Sequence, residues 1–169
     1  MFIWSLPTKN WFRTSLIPIW EGIFPMGPKR EYPDRPIIGV GVLIQKEDKY
    51  LLIKRAANPD KGMWSVPGGL IEVGERAADS AKREAFEETG LVVEIGERLG
   101  VVDKIEYDKA GEVFYHFIII QYLATPLSGV LTPMDDALDA VWVTREQLKD
   151  YNITGSLKDF LLDIGLYPI

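Results

Sequence analysis

The 169-residue chain has no cysteine. That excludes disulfides, thiolate nucleophiles and Cys-based zinc sites, and it agrees with a reducing compartment, so the expected location is the cytoplasm. There is one histidine, His116, so a multi-histidine metal centre is excluded and any metal chemistry must rest mainly on oxygen ligands. Basic residues are short: 19 Lys and Arg stand against 25 Asp and Glu, a formal charge of −6, which disfavours a grip on nucleic-acid backbone. No apolar run of ~20 residues is present, so no membrane span is expected. What remains is 47% hydrophobic and 26% charged, the composition of a globular domain of ordinary size.

The charge is unevenly placed. Residues 1–68 carry 10 basic and 6 acidic side chains, Gly69 to Leu91 carry 3 and 6, and residues 92–169 carry 6 and 13. Residues 1–31 read as an aromatic- and proline-rich arm, because Phe2, Trp4, Trp11, Phe12, Trp20 and Phe24 lie among prolines 7, 18 and 25 that interrupt helix. Lys9, Arg13 and Glu21, with the prolines, break the run a membrane span would need, and the segment has neither the basic start nor the unbroken apolar stretch of a secretory signal. The arm is expected to pack on the domain or on a second copy of the chain, which makes a homodimer plausible, and Met26 is an alternative start.

Residues 32–169 read as one α/β domain with a mixed sheet between helices. Ile37–Gln45 and Lys49–Arg55 are β-branched-rich runs about the polar turn Lys46-Glu47-Asp48, a hairpin pattern. Met63 to Gly69 holds Pro67, Gly68 and Gly69, which favour an irregular backbone. Glu75 to Thr89 contains no Pro or Gly and is stopped by Gly90, so it predicts a helix. Strands are expected at 92–95, 98–106, 113–124 and 140–144, the 113–124 run being the longest and central. Thr144-Arg145-Glu146-Gln147 fits a capping box, and Gly155 to Ile164 fits a last amphipathic helix.

On the 75–89 helix, Glu84, Glu87 and Glu88 fall at i, i+3 and i+4 on one face. Like charges at that spacing repel by several tenths of a kcal/mol per pair, which a solvated surface tolerates and a cation relieves. Arg83 lies eight residues after Glu75, within reach of its forked guanidinium, and the bare backbone of Gly68-Gly69 precedes the acidic face.

Gly69, Glu75 and the run Arg83-Glu84-Ala85-Phe86-Glu87-Glu88-Thr89-Gly90-Leu91 resemble the Nudix box, Gly-x5-Glu-x7-Arg-Glu-U-x-Glu-Glu-x-Gly-U, with U a bulky aliphatic. All seven fixed residues match over 23 positions, and Ala85 is the one departure, at a U position. The resemblance extends over about residues 32–150, through Tyr32-Pro33-Asp34-Arg35-Pro36, Gly62 to Gly69, and Asp135-Asp136-Ala137 to Trp142-Val143. It implies a Nudix α/β/α sandwich and a Mg²⁺- or Mn²⁺-dependent pyrophosphohydrolase acting on a nucleoside diphosphate derivative, a small-molecule nucleotide. It also implies that Glu84, Glu87, Glu88 and the Gly69 carbonyl bind metal, and that Arg83 and Glu75 orient them. Glu84 would hold or deprotonate the attacking water, or a later loop acid would: Glu112, Asp135 or Asp136.

Substrate contacts are expected from Arg55, Trp64, Tyr107, Glu112, Asp135 and Asp136. Tyr107, some 16 positions after the box, is a marker of dinucleoside polyphosphate hydrolases. The 113–147 stretch as a whole is more similar to ADP-ribose pyrophosphatases, which convert ADP-ribose to AMP and ribose 5-phosphate. Hydrolysis of (deoxy)nucleoside triphosphates stays open, as does a non-catalytic nucleotide-binding module. No array of the NADH-pyrophosphatase type is present. His116 reads as a structural or pocket-wall residue.

Overall fold

Strand β1 (Ile37–Lys46) turns tightly into β2 (Lys49–Arg55) through Glu47-Asp48, with Glu47 in the left-handed region. The computed structural model describes residues 29–168, so the expected arm of residues 1–31 lies almost wholly outside the described residues. After β2 come β3 (Trp64–Ser65), α1 (Ala77–Thr89), β4 (Leu91–Tyr107), β5 (Val113–Gly129), β6 (Ala137–Thr144), a 3-10 turn (Glu146–Asp150) and α2 (Gly155–Asp163).

The sheet is mixed. β1 runs parallel to β5, with Ile37 opposite Phe117 and Gly41 opposite Gln121, and β5 is antiparallel to β4. β2 pairs with β1 only at Gln45–Tyr50 and Lys46–Lys49 before it diverges to pair with β6 and β3. The Pro67–Leu70 segment enters beside β1 instead: Val40 N–H donates to Gly69 O (2.9 Å), and Val42 N–H to Pro67 O (2.8 Å). Consequently β1, rather than the 113–124 run, lies at the middle of the strand order, with β5 between it and β4. The two expected strands at 92–95 and 98–106 are one strand, carried past Gly96 by register shifts that absorb the extra residues as bulges.

Each face of the sheet buries one helix. Val40, Val42 and Ile44 of β1 point with Leu51 toward Ala81 and Ala85 of α1, while Leu43 and Leu52 point the other way, toward Leu157, Phe160 and Leu161 of α2. This is the period-two alternation of a strand covered on both sides. Ala85 is fully buried in the helix–sheet seam, so a small side chain there sets a close approach of α1 to the sheet.

Two helix boundaries differ from expectation. Helix α1 begins at Ala77 because Glu75 belongs to a turn: its N–H donates to Glu72 O (3.0 Å), and its carboxylate accepts from Glu72 N–H (3.2 Å). Its end is as expected, with Gly90 at φ 70° and its N–H on Phe86 O. At the capping box, Gln147 does reach back to Thr144 N–H (2.9 Å), yet the element is a single 3-10 turn. Helix α2 is capped by Thr154, whose hydroxyl accepts from Leu157 N–H (3.3 Å).

Candidate active site

Arg83 organises the acidic face of α1 through six hydrogen bonds. Its fork grips Glu75 with Nε to Oε1 (3.0 Å) and Nη2 to Oε2 (2.9 Å), a bidentate pairing that reaches back across the loop before the helix. Nη1 donates to Glu84 (2.6 Å) and Glu87 (3.0 Å), and Nη2 also donates to Leu70 O and Ser80 Oγ (3.1 Å each). One guanidinium thus ties the glycine segment, the loop and the helix together. Its hydrogen bonds hold the Glu75 carboxyl down at about 2. They also raise Arg83 above its ordinary value.

Glu88 is different. It is 4% exposed, and its carboxylate accepts from Gly68 N–H (2.8 Å). Burial pushes its carboxyl up to about 8, against the opposing pull of that hydrogen bond, and the charge of Glu84 adds to the rise. Burial also raises Glu84, in spite of Arg83. Two buried carboxylates beside one another carry more negative charge than their surroundings compensate.

The backbone facing these acids is that of Gly68. The expected ligand, the Gly69 carbonyl, is turned to β1, where it accepts from Val40 N–H. In an extended segment successive peptide groups alternate sides, so with the Pro67 and Gly69 carbonyls on β1 the intervening Gly68 faces Glu88. Gly69 serves sterically: a Cβ there would fall on the Glu84 carboxylate.

The loop after β5 completes the acidic end. Thr132 N–H caps Thr89 O (2.9 Å) and Met134 N–H caps Glu88 O (3.1 Å), which satisfies carbonyls at the end of α1. This docking places Asp135 and Asp136 so that their charges bear on Glu84 and Glu88 respectively. A cavity of 130 Å³ is lined by Gly68, Gly69, Glu88 and Asp136 and by the cations Arg30, Arg55 and Lys104. Arg55 is held by its Nε on Pro59 O (2.9 Å), and Lys104 is paired with Asp60 and Glu106.

The other expected substrate contacts lie elsewhere. Trp64 packs edge-on to Tyr151 (5.2 Å between ring centres) beside the α2 core. Tyr107 is 64% exposed at the end of β4. Glu112 closes the β4–β5 turn with Asp108, its N–H on Asp108 Oδ1 (2.9 Å). None of the three lines the cavity. Sequence reasoning in turn missed Arg30, Asp60, Lys104 and Gln121, which do. Gln121 had a legible signal, as the one polar residue in the run from Phe117 to Leu123.

A hard divalent cation fits this donor set. The groups are oxygens, two of the carboxylates are buried, and burial raises the pKa values of both. Among the described residues no three acids already form a closed cage, since Glu84 and Glu87 are turned to Arg83.

Residues 35–164 match the family model described as the NUDIX domain, which is more than half of the chain. The chain belongs to the Nudix family. It is 39% identical over 105 residues to an ADP-ribose pyrophosphatase of Methanocaldococcus jannaschii, a match that covers 62% of this chain and 60% of that protein. It is 30% identical over 128 residues to an 8-oxo-dGDP phosphatase of Mus musculus, covering 73% of this chain and 37% of that one. Among solved structures, a MutT NUDIX hydrolase from Burkholderia pseudomallei superposes with a TM-score of 0.66 at 29% identity, over 78% of this chain and 99% of that one. The Nudix chain thus spans about 60% of the length of its archaeal relative. Nudix hydrolases generally use divalent metals. Among the described residues no helix is long and apolar enough to cross a membrane.

Proposed function

We propose that this Nudix protein is a pyrophosphohydrolase that uses Mg²⁺ or Mn²⁺ to cleave the diphosphate linkage of a nucleoside diphosphate derivative, ADP-ribose to AMP and ribose 5-phosphate. The observation that carries the reading is a cavity that brings acids and cations together. Glu88, Gly68 and Asp136 line it along with Arg30 and Arg55, as a diphosphate bridging a cation and basic side chains requires. The likeness to the archaeal ADP-ribose pyrophosphatase supports that substrate over the others.

Glu84, Glu87 and Glu88 would hold the cation, which supplies charge neutralisation of the diphosphate and lowers the pKa of water. Arg83, itself gripped by Glu75, fixes the carboxylates of Glu84 and Glu87. Glu84 or Asp136 accepts the proton of the water that attacks phosphorus as the bridging anhydride bond breaks; Asp136 lines the cavity directly, and the charge of Asp135 bears on Glu84. The position of Tyr107 outside the cavity weakens the case for dinucleoside polyphosphates. A second reading, removal of damaged (deoxy)nucleoside diphosphates or triphosphates, is favoured by the likeness to the murine 8-oxo-dGDP phosphatase.

Hydrolysis of ADP-ribose, dinucleoside polyphosphates, NADH, nucleotide sugars and oxidised or normal nucleotides, compared at equal Mg²⁺, tests the proposal. The highest kcat/KM is expected on ADP-ribose with release of AMP. Preference for an oxidised nucleotide would favour the second reading, and no Mg²⁺-dependent turnover of any of them would favour a binding module.

A further inference from the structure

Gln121 is the polar residue of the cavity wall that neither the box nor its cations explain. It sits on β5, is 4% exposed, and its Oε1 is the one buried side-chain polar atom among the described residues with no hydrogen-bond partner. Buried carboxamides are nearly always paired, because leaving one unpaired forfeits the hydrogen bonds water gave it. The unpaired oxygen sits against Gly41, and Gln121 also lines the cavity, so its amide is within reach of a bound ligand.

The surroundings indicate which part of a substrate that is. Phe117 and Ile119 share the β5 face with Gln121, two and four residues away, and both line the cavity. Opposite, on β1, Gly39 and Gly41 line it without side chains. Gly41 is the register partner of Gln121, and a side chain there would collide with the Gln121 amide. The result is an apolar slot with a bare-backbone wall and a single carboxamide, flanked by Lys104, the register partner of Phe117, whose charge is taken up by Asp60 and Glu106. A flat ring with one hydrogen-bonding edge matches it, whereas a sugar would require several polar partners and a diphosphate would require charge. A half-turn about the terminal torsion, which is broad and two-fold in glutamine, exchanges the oxygen and the NH₂ and brings the acceptor to a donor in the slot.

We infer that Gln121 is the base-reading residue of this site, its carboxamide oxygen accepting from the exocyclic 6-amino group of adenine. The amide NH₂ then takes the place of the oxygen against Gly41, so the base is read through one hydrogen bond. This rests on the proposed nucleoside diphosphate substrate and specifies its base.

The test is equilibrium binding of AMP and of purine riboside 5′-monophosphate, the same nucleotide without the 6-amino group, to the full chain by calorimetry in the absence of metal. The wild type should prefer AMP by about tenfold, the worth of one buried hydrogen bond. Gln121→Leu should bind the two nucleotides within about twofold of each other. Gln121→Met, unbranched and able to lie across Gly41 in the same shape, carries the test if the leucine variant does not fold. Equal binding of the two nucleotides by the wild type, no binding of AMP, or an AMP preference that survives in both variants would overturn the inference. Binding is read without turnover, so a preference that depends on Gln121 in a protein that hydrolyses no diphosphate would refute the proposed activity and leave Gln121 standing. Turnover of ADP-ribose with no role for Gln121 would do the reverse.

Discussion

Adjacent glycines in this site should fail in different ways when a methyl group is added. Neither Gly68 nor Gly69 has positive φ, so alanine is compatible with both backbones and only the space around the new Cβ decides. At Gly68 the methyl meets Val40 O, and Gly41 Cα at 3.0 Å, backbone atoms of a strand locked in register to β5 from Ile37 to Ile44. Backbone in an interior strand does not give way, so overpacking of about 1–3 kcal/mol is expected. The displaced Gly68 N–H also loses its 2.8 Å bond to Glu88. Leaving a buried group without its partner adds roughly 1–3 kcal/mol. The sum, about 2–6 kcal/mol, is a large part of the ~5–15 kcal/mol that holds a domain together, and corresponds to a fall in Tm of roughly 4–24 °C. At Gly69 the methyl meets the Glu84 carboxylate, the free end of a side chain, which moves aside. Gly69→Ala should therefore lose little stability but displace Glu84 from its 2.6 Å contact with Arg83. Misplacement of a reacting group by ~1 Å costs about 100-fold in turnover. Thermal unfolding in chelator and Mg²⁺-dependent turnover of both variants separate the two effects. Full turnover in Gly69→Ala, or wild-type stability in Gly68→Ala, would refute the packing argument.

Other substitutions probe the framework around the site. Arg83→Lys replaces a planar fork that makes six hydrogen bonds with an ammonium that has three donors, so kcat should fall about 10- to 100-fold with KM little changed; steady-state kinetics on the preferred substrate decides this. Glu75, held at about 2 in the folded chain, stabilises it fully above its ordinary value of 4.5 and progressively less as pH falls toward 2. Urea midpoints between pH 6 and pH 2 should show that acid loss in the wild type and a flatter profile in Glu75→Gln. Tyr107→Ala should leave kcat/KM within about twofold on every substrate, since the ring stands in solvent at the end of β4; a larger loss on dinucleoside polyphosphates alone would restore its role as a substrate contact.

Local signals in the sequence were sufficient for the box and for most elements. Gly90 marks the end of α1, the polar turn marks the hairpin, and the glutamate spacing places three acids on one side of the helix. The misses come from long-range pairing. Nothing local says that Pro67–Leu70 will pair with β1, and that pairing puts Val40 N–H on the Gly69 carbonyl and leaves the Gly68 N–H to Glu88. The start of α1 moved because the Glu75 carboxylate is more valuable to Arg83 and the loop than to a helical turn. Lys104 and Gln121 read as ordinary strand residues until β4 and β5 are brought beside β1 and Arg55. Trp64 looked like a base platform for its position beside the glycines, but its ring is used by Tyr151.

The central claim, that the buried acids of α1 exist to hold a cation for diphosphate cleavage, is tested most directly by titrating AMP release from ADP-ribose with Mg²⁺ in the wild type and in Glu88→Gln. Glutamine can still accept from Gly68 N–H and fill the same space, so the fold is kept while the charge is removed. The account predicts saturable Mg²⁺ dependence in the wild type and turnover at least about 100-fold lower in the variant at every Mg²⁺ concentration, with unchanged thermal unfolding of the metal-free protein or a slight gain. Turnover by Glu88→Gln at the wild-type level, or wild-type hydrolysis that is indifferent to Mg²⁺ and Mn²⁺ in the presence of chelator, would contradict it.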